Sequence, residues 1–384
     1  MNLARKLNAL VDGWFTAPEP NAAGRIGLFR ILYSAFYIWH TSFQFAASMA
    51  GFPDLHSKRI FLLGLFPVEV TPELLALLES SLVAALVLLM IGFKVRPVTA
   101  LVLIGGCVLE AFHTRADAER GSLFLVFYIP LFMLLCNARW GATYSLDALL
   151  ERRAGKPLVE PSSSFGAFFI PARAVLAMLG LLFLSAALLK IAAGGTWLDQ
   201  PRFMADLMLE DNVDATIKGL PLNPLAALVS GNPALYRGLL YQVIVFEGLF
   251  FLGLFSRALR SFFLALAVVF HAVGAIWLTV TFTQILIVYA LYIDWQKLRE
   301  RVWPKRADVL AGAPSGVLIA ATICLAVVAG AFWNQGNGLR SVINLGGRLD
   351  WHTVWYPILP LSLIWLVLAV RGLVRSLILQ KTTA

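Results

Sequence analysis

The feature that most constrains this chain is a series of long apolar runs, each about the length needed to cross a bilayer. A transmembrane helix takes roughly 20 such residues. On that criterion ten spans are drawn, at 26–48, 72–93, 97–114, 121–138, 171–193, 238–255, 260–280, 281–295, 315–333 and 354–376. The fourth and eighth are short, and a nine-span version bends 260–295 around Thr279 to Thr283. Composition excludes the soluble alternative. Hydrophobic residues make up 59% of the 384 and charged residues only 14%, and a soluble domain has no interior large enough to hide so much apolar surface. Alternating short segments of the β-barrel kind are absent. The expected fold is all-α: a polytopic transmembrane helix bundle of about ten spans.

The start, "MNLARKLNALVDGWF", places Leu3, Leu7, Leu10 and Trp14 at helical spacing with Arg5 and Lys6 opposite. It reads as an amphipathic helix lying on the membrane surface, over 1–20, and not as a removable signal. With the N-terminus inside, inner segments hold nineteen Lys and Arg and outer segments nine. The positive-inside rule then favours ten spans, both termini cytoplasmic and a cell-membrane location. The net charge of +9 faces anionic headgroups, so membrane lipids are the expected partners and nucleic acid is not. The longest outer segment, 194–237, is acidic in its middle and carries "IKGLPLNPLAALV", apolar and proline-containing. Such a segment suits a dip into the bilayer or a cap over a cavity. The basic stretch 301–314, with Pro304 and Pro314, reads as a cytoplasmic joint before a terminal pair of helices in 315–384.

Six ionisable groups sit where hydrocarbon makes them expensive: Glu79, Glu110, Arg173, Lys190, Glu247 and His271. Each is costly in hydrocarbon, so each needs a partner, a water-filled cavity or a route to the headgroups. Arg173, at the inner start of its span, is expected to snorkel. The other five lie toward the outer half or the centre, which suggests a polar cavity open to the outer side. Lys190 has two readings: an interfacial anchor with Trp197 beyond it, or a pocket contact. Glu247, near mid-span, pairs, stays protonated or faces water. His271 is either a neutral imidazole bonded to neighbouring backbone or part of the cavity. Glu79 and Glu110 complete the candidate pocket. The three cysteines, Cys107, Cys136 and Cys324, lie in apolar runs without ligand spacing, and no HxxxH, HExxH or CxxC occurs, so no metal site is expected.

Four stretches, in order, resemble one family. They are "GRIGLFRILYSAFYIWH" (24–40), "NARWGATYSLDALL" (137–150), "LSAALLKIAAGGTWLDQ" (184–200) and "VVFHAVGAIWLTVTFTQILIVYALYIDW" (268–295). Together they are similar to HTTM-domain membrane proteins, whose membrane region is shared with vitamin K-dependent gamma-glutamyl carboxylase. The resemblance covers 22–300, about eight spans. It implies a hydrophobic small-molecule ligand of the quinone or lipid kind, a quinone as the implied cofactor, and Lys190 as the base that deprotonates its hydroquinone form, with Glu247 or His271 assisting. Two departures argue against full carboxylase activity. The place of the family's Asn-His pair reads "AERGSLFLVF" (118–127), with Arg120 and Gly121, and the large luminal domain has no counterpart. The competing expectation is a non-enzymatic transport, export or immunity-type membrane factor, in which the same polar residues line a conduction path.

Overall fold

Thr71 and Pro72 start an apolar helix in the way capping chemistry requires. The Thr71 hydroxyl accepts a hydrogen bond from the Leu74 amide at 3.3 Å, and proline occupies the first turn, where its missing N–H costs nothing. The helix stops at Gly92, whose φ of +77° lies in the left-handed region and whose amide bonds back to Leu88 and Leu89. Any side chain at that glycine would also meet the Ser145 Cα at 2.8 Å. The computed structural model describes residues 3–40, 71–113, 123–136, 140–157, 159–160, 162–192, 202–217, 224–277, 282–295, 297–298 and 351–382. Within them the regular structure is helical throughout, with turns between.

Among the described residues the chain divides into two compact units. The first is drawn from Met1–Val175 and Gln284–Arg348. It contains α1 (Leu3–Thr16), α2 (Ala22–His40), α3 (Pro72–Ile91), α4 (Val95–His113), a π-helical turn (Phe124–Tyr128) leading into α5 (Ile129–Leu135), and α6 (Leu146–Arg153). A 3-10 turn (Gly166–Phe169) then opens α7 (Ile170–Ala192), along which the chain leaves this unit. The second unit is drawn from Leu176–Thr283 and Leu349–Ala384. It contains the rest of α7, then α8 (Phe203–Ile217), α9 (Pro224–Ser230), α10 (Pro233–Leu249), α11 (Arg257–Trp277) and a helix numbered last in the chain, Trp351–Thr382. Among the described residues five helices are long and apolar enough to cross a membrane: Glu73–Ile91, Gly166–Ala192, Pro233–Leu254, Arg257–Ile276 and Trp355–Ser376. The described part of the chain is thus helical and has the long apolar helices of a membrane protein.

The first unit is held by polar contacts at the ends of its helices. Arg30, on α2, is fully buried. Its guanidinium donates to the carbonyls of Trp140 at 2.7 Å, Tyr144 at 2.5 Å, Thr143 at 3.3 Å and Met90 at 3.5 Å. The fork therefore ties α2 and the end of α3 to the 140–145 turn. Gly27 permits this approach, since a Cβ there would lie 2.9 Å from the Thr143 carbonyl oxygen. The "YSLDALL" motif opens α6 as its chemistry dictates. Ser145 caps the helix by accepting from the Ala148 amide at 2.9 Å, while the Asp147 carboxylate accepts from the Lys94 and Val95 amides at 2.8 and 2.9 Å. The π-helical turn frees the Leu125 carbonyl, which accepts from the Tyr33 hydroxyl at 2.7 Å. Replacing Arg30 by lysine keeps the charge and loses the fork. The expected loss is roughly 2–4 kcal/mol, since hydrogen bonds to charged groups are individually strong and one ammonium cannot reach four carbonyls. Thermal unfolding of purified Arg30→Lys in detergent, read by size-exclusion fluorescence, checks it.

Three expectations are revised in this part of the molecule. Arg173 does not snorkel: it is buried, donating to the Phe15 carbonyl at 2.6 Å and the Ala17 carbonyl at 2.7 Å. It also meets Glu19 at 3.5 Å, and the other Glu19 oxygen takes Arg25 at 3.0 Å. The chain after α1 brings these acceptors to the arginine, so it has no need to reach for water. The eighth expected span, 281–295, is a short helix, α12 (Leu286–Ala290), flanked by turns. It packs on α2 and on the π-helical turn, and five residues are far fewer than a bilayer crossing needs. The segment 194–237, expected as an outer loop, carries helices among its described residues. In it α8 and α9 pack together around Ala205, Met208, Ala226 and Val229, with Tyr236 and Leu239 of α10 closing over them.

The last helix, α13 (Trp351–Thr382), packs on α11. Its fully or nearly buried positions Trp355, Ser362 and Ala369 recur every seven residues, which is the narrow seam of a helix pair. Small buried residues on α11, Ala265, Ala272 and Ala275, allow close approach. The remaining surface of α13, including Leu361, Ile364, Val367 and Leu368, is exposed, as a lipid-facing stripe would be. The expected partner in the terminal pair, 315–333, and the joint 301–314 lie outside the described residues, as does Trp197.

Candidate functional site

The apolar run of α7 is rich in good helix formers and has no proline after Pro171, so the helix continues through Gly180 and Lys190 falls in its last described turn. Phe183, Ala187 and Lys190 follow at i, i+4 and i+7 and therefore share one face. That face meets α10. Phe183 contacts Phe246 edge-on at 5.4 Å between centroids, and Phe250 at 4.6 Å. Ala187 lies against Gly248, where a Cβ would stand 3.7 Å away. Small residues at that level bring the two helices close enough for the charged pair one turn further on. The Lys190 ammonium donates to both Glu247 oxygens, at 2.8 and 2.7 Å.

Both partners are largely withdrawn from solvent, with the Lys190 side chain 14% exposed and that of Glu247 9%. Such a pair gains strongly from low dielectric and pays a large desolvation cost, so its geometry must be good to persist. The two-pronged contact meets that condition. Glu247 lies fourteen residues, about 21 Å of helix, beyond Pro233, in the last turn of α10. The Lys190 ammonium is held by that carboxylate.

Next to the pair stands a set of aromatic rings. Phe246 stacks on Phe270 at 4.6 Å, and Phe183 also faces His271 at 6.1 Å. His271 is buried on α11, with Phe270 at 5.3 Å and Phe282 at 5.2 Å from its ring. The imidazole therefore sits among phenyl rings. Of the residues singled out in the sequence, Lys190, Glu247 and His271 belong to this second unit, and the first two form one contact. Glu79 and Glu110 belong to the first unit, on α3 and α4, where Glu79 is buried and Glu110 half-buried.

Sequence reasoning passed over Glu19, which takes two buried arginines, and Phe183, Phe246 and Phe270, which pack against one another on the helices that carry the pair and His271. Glu19 sits between Pro18 and Pro20, a rigid bracket that was the available signal. The phenylalanines had none, because aromatic residues in apolar helices are ordinary. Among the described residues no three His, Cys, Asp or Glu side chains come together to hold a metal ion, and the thiols of Cys107 and Cys136 are free. No family model, no curated protein and no solved structure matches the chain.

Proposed function

We propose that Lys190 and Glu247, with Phe183, Phe246, Phe270 and His271, form the polar end of a site for a hydrophobic small molecule of the quinone or lipid kind. The observation that supports this most is the two-pronged Lys190–Glu247 contact next to an aromatic wall. Aromatic rings suit a flat ring or an acyl chain, and a pair of opposite charges suits a hydroxyl or carbonyl head. The pair also offers a proton route. A proton passing from the ammonium to the carboxylate leaves a neutral amine and a neutral acid. The amine can then accept the proton of a ligand hydroxyl, breaking that O–H bond and leaving an oxyanion beside the renewed ammonium. The resemblance to HTTM-domain proteins agrees with this place for a lysine base. The non-enzymatic conduction reading has weaker support, because Arg30, Arg173 and Arg25 are engaged in contacts that hold the first unit together. The site opens to the outer side of the membrane, with the amphipathic helix α1 on the inner surface and the N-terminus in the cytoplasm.

A decyl-substituted benzoquinone, and its hydroquinone, serve as probes. Each is expected to raise the unfolding temperature of the purified chain, and Lys190→Arg and Glu247→Gln are expected to abolish the rise. Arginine stays protonated and is bulkier, so it cannot replace a tuned lysine. Full retention of the rise in Lys190→Arg, or no rise in the parent chain with either probe or with extracted membrane lipid, would reject the site. The orientation has its own test. Asn212→Cys on α8 is expected to react with a membrane-impermeant thiol reagent in intact cells, against the parent chain as control, and labelling only after lysis would reverse the topology.

A further inference from the structure

A second polar feature lies in the first unit, at the level where α3 ends and α4 begins. It is a cavity of about 370 Å³, within the roughly 300–1,000 Å³ range of small-molecule sites. Its apolar wall includes Met133 on α5 and Trp140, and its polar wall carries Arg96, Asp147 and Glu151. A span end is where headgroups meet helices, and a cavity with one apolar and one charged wall matches a lipid at that boundary.

The signs of the charges narrow the occupant. Arg96, on the first turn of α4, is exposed and presents the forked donor set that suits a phosphate. Glu151, on α6, is also exposed, and its pair with Lys156 is long, at 3.8 Å, and open to solvent on both sides. Such a pair is weak and gives way readily to a better cation. Asp147 has both oxygens on the Lys94 and Val95 amides, yet a carboxylate retains further lone pairs for another donor. An anionic headgroup alone would face two carboxylates. A quaternary ammonium would want several open aromatic faces, but the lining has one tryptophan, almost wholly buried, whose Nε1 is already engaged with Thr99 at 3.2 Å. A primary ammonium next to a phosphate meets both sets of groups.

We infer that this cavity binds the phosphoethanolamine headgroup of a membrane phospholipid, with the phosphate at Arg96 and the ammonium at Glu151 and Asp147. The full chain is reconstituted in nanodiscs of equal parts phosphatidylethanolamine, phosphatidylcholine and phosphatidylglycerol, and co-retained lipid is measured by native mass spectrometry. Phosphatidylethanolamine is expected to exceed phosphatidylcholine by about fivefold, the scale of one charge-assisted contact. The excess is expected to vanish in Arg96→Gln and in Glu151→Gln. Both side chains are exposed, so folding is kept, which elution volume checks. Lys156→Gln is expected to keep the excess. Parity in the parent chain, or an excess that survives Glu151→Gln, overturns the proposal, the latter pointing to an anionic lipid. Displacement of the lipid by millimolar glycerophosphoethanolamine as readily as by phosphatidylethanolamine would assign the cavity to a soluble ligand and overturn the lipid source.

Discussion

Glu19→Ala is expected to be among the most destabilising single substitutions in the first unit, at about 3–5 kcal/mol. The Glu19 carboxylate meets two guanidiniums, Arg25 at 3.0 Å and Arg173 at 3.5 Å, and all three side chains are almost fully buried. Removing the acid leaves two buried positive charges facing each other across one ring, since Phe169 takes Arg25 at 4.5 Å and Arg173 at 5.8 Å. The ring offers some compensation, of the order of 1–2 kcal/mol where desolvated. Breaking a buried charge group costs more than replacing all of it with apolar side chains of similar size. The triple substitution Glu19→Leu, Arg25→Met, Arg173→Met is therefore expected to unfold at a higher temperature than Glu19→Ala alone. Thermal unfolding of both proteins in one detergent checks the order. A Glu19→Ala protein as stable as the parent would show that the cluster contributes nothing to the fold.

The second large effect separates structure from function at the candidate site. Lys190→Met leaves Glu247 buried without its ammonium, and Glu247→Leu leaves Lys190 without its carboxylate, so each is expected to cost about 3–5 kcal/mol. The double substitution removes both charges and leaves apolar side chains at two largely buried positions. It is expected to recover most of the lost stability while binding no quinone probe. The double-mutant cycle measures the coupling of the pair directly. Equal probe binding by the double variant and the parent would mean that the pair holds α7 to α10 and takes no part in ligand recognition.

The residues themselves show how far a sequence carries such an argument. Run length and composition were enough for the helical membrane class, because bilayer thickness and backbone hydrogen bonding leave few other solutions. Local chemistry also carried a signal for several helix boundaries that run length did not use, so the span drawn at 238–255 starts five residues late. Ser145 with Asp147 opens α6, Asn232 with Pro233 opens α10, and Thr71 with Pro72 opens α3, since caps depend only on near neighbours. The same is true of the need for partners at Glu247 and Lys190, which follows from the cost of charge in hydrocarbon.

Which partner each charge takes was decided by tertiary structure. Nothing local distinguishes Arg30, Arg173 and Lys190, three cations in apolar helices. One ends on main-chain carbonyls of a distant turn, one on the segment after α1 and on Glu19, and one on a carboxylate of α10. Those outcomes depend on which helix faces meet and at what depth, and they follow from small contacts such as Ala187 against Gly248 and Gly27 against Thr143. The sequence alone determined that this chain folds as membrane helices and that its buried charges need partners, because hydrocarbon penalises exposed backbone and isolated charge wherever they occur. Only the packed structure decided that Lys190 is joined to Glu247 beside an aromatic wall while Arg30 and Arg173 hold the fold, because pairing across helices is set by packing between residues far apart in the chain.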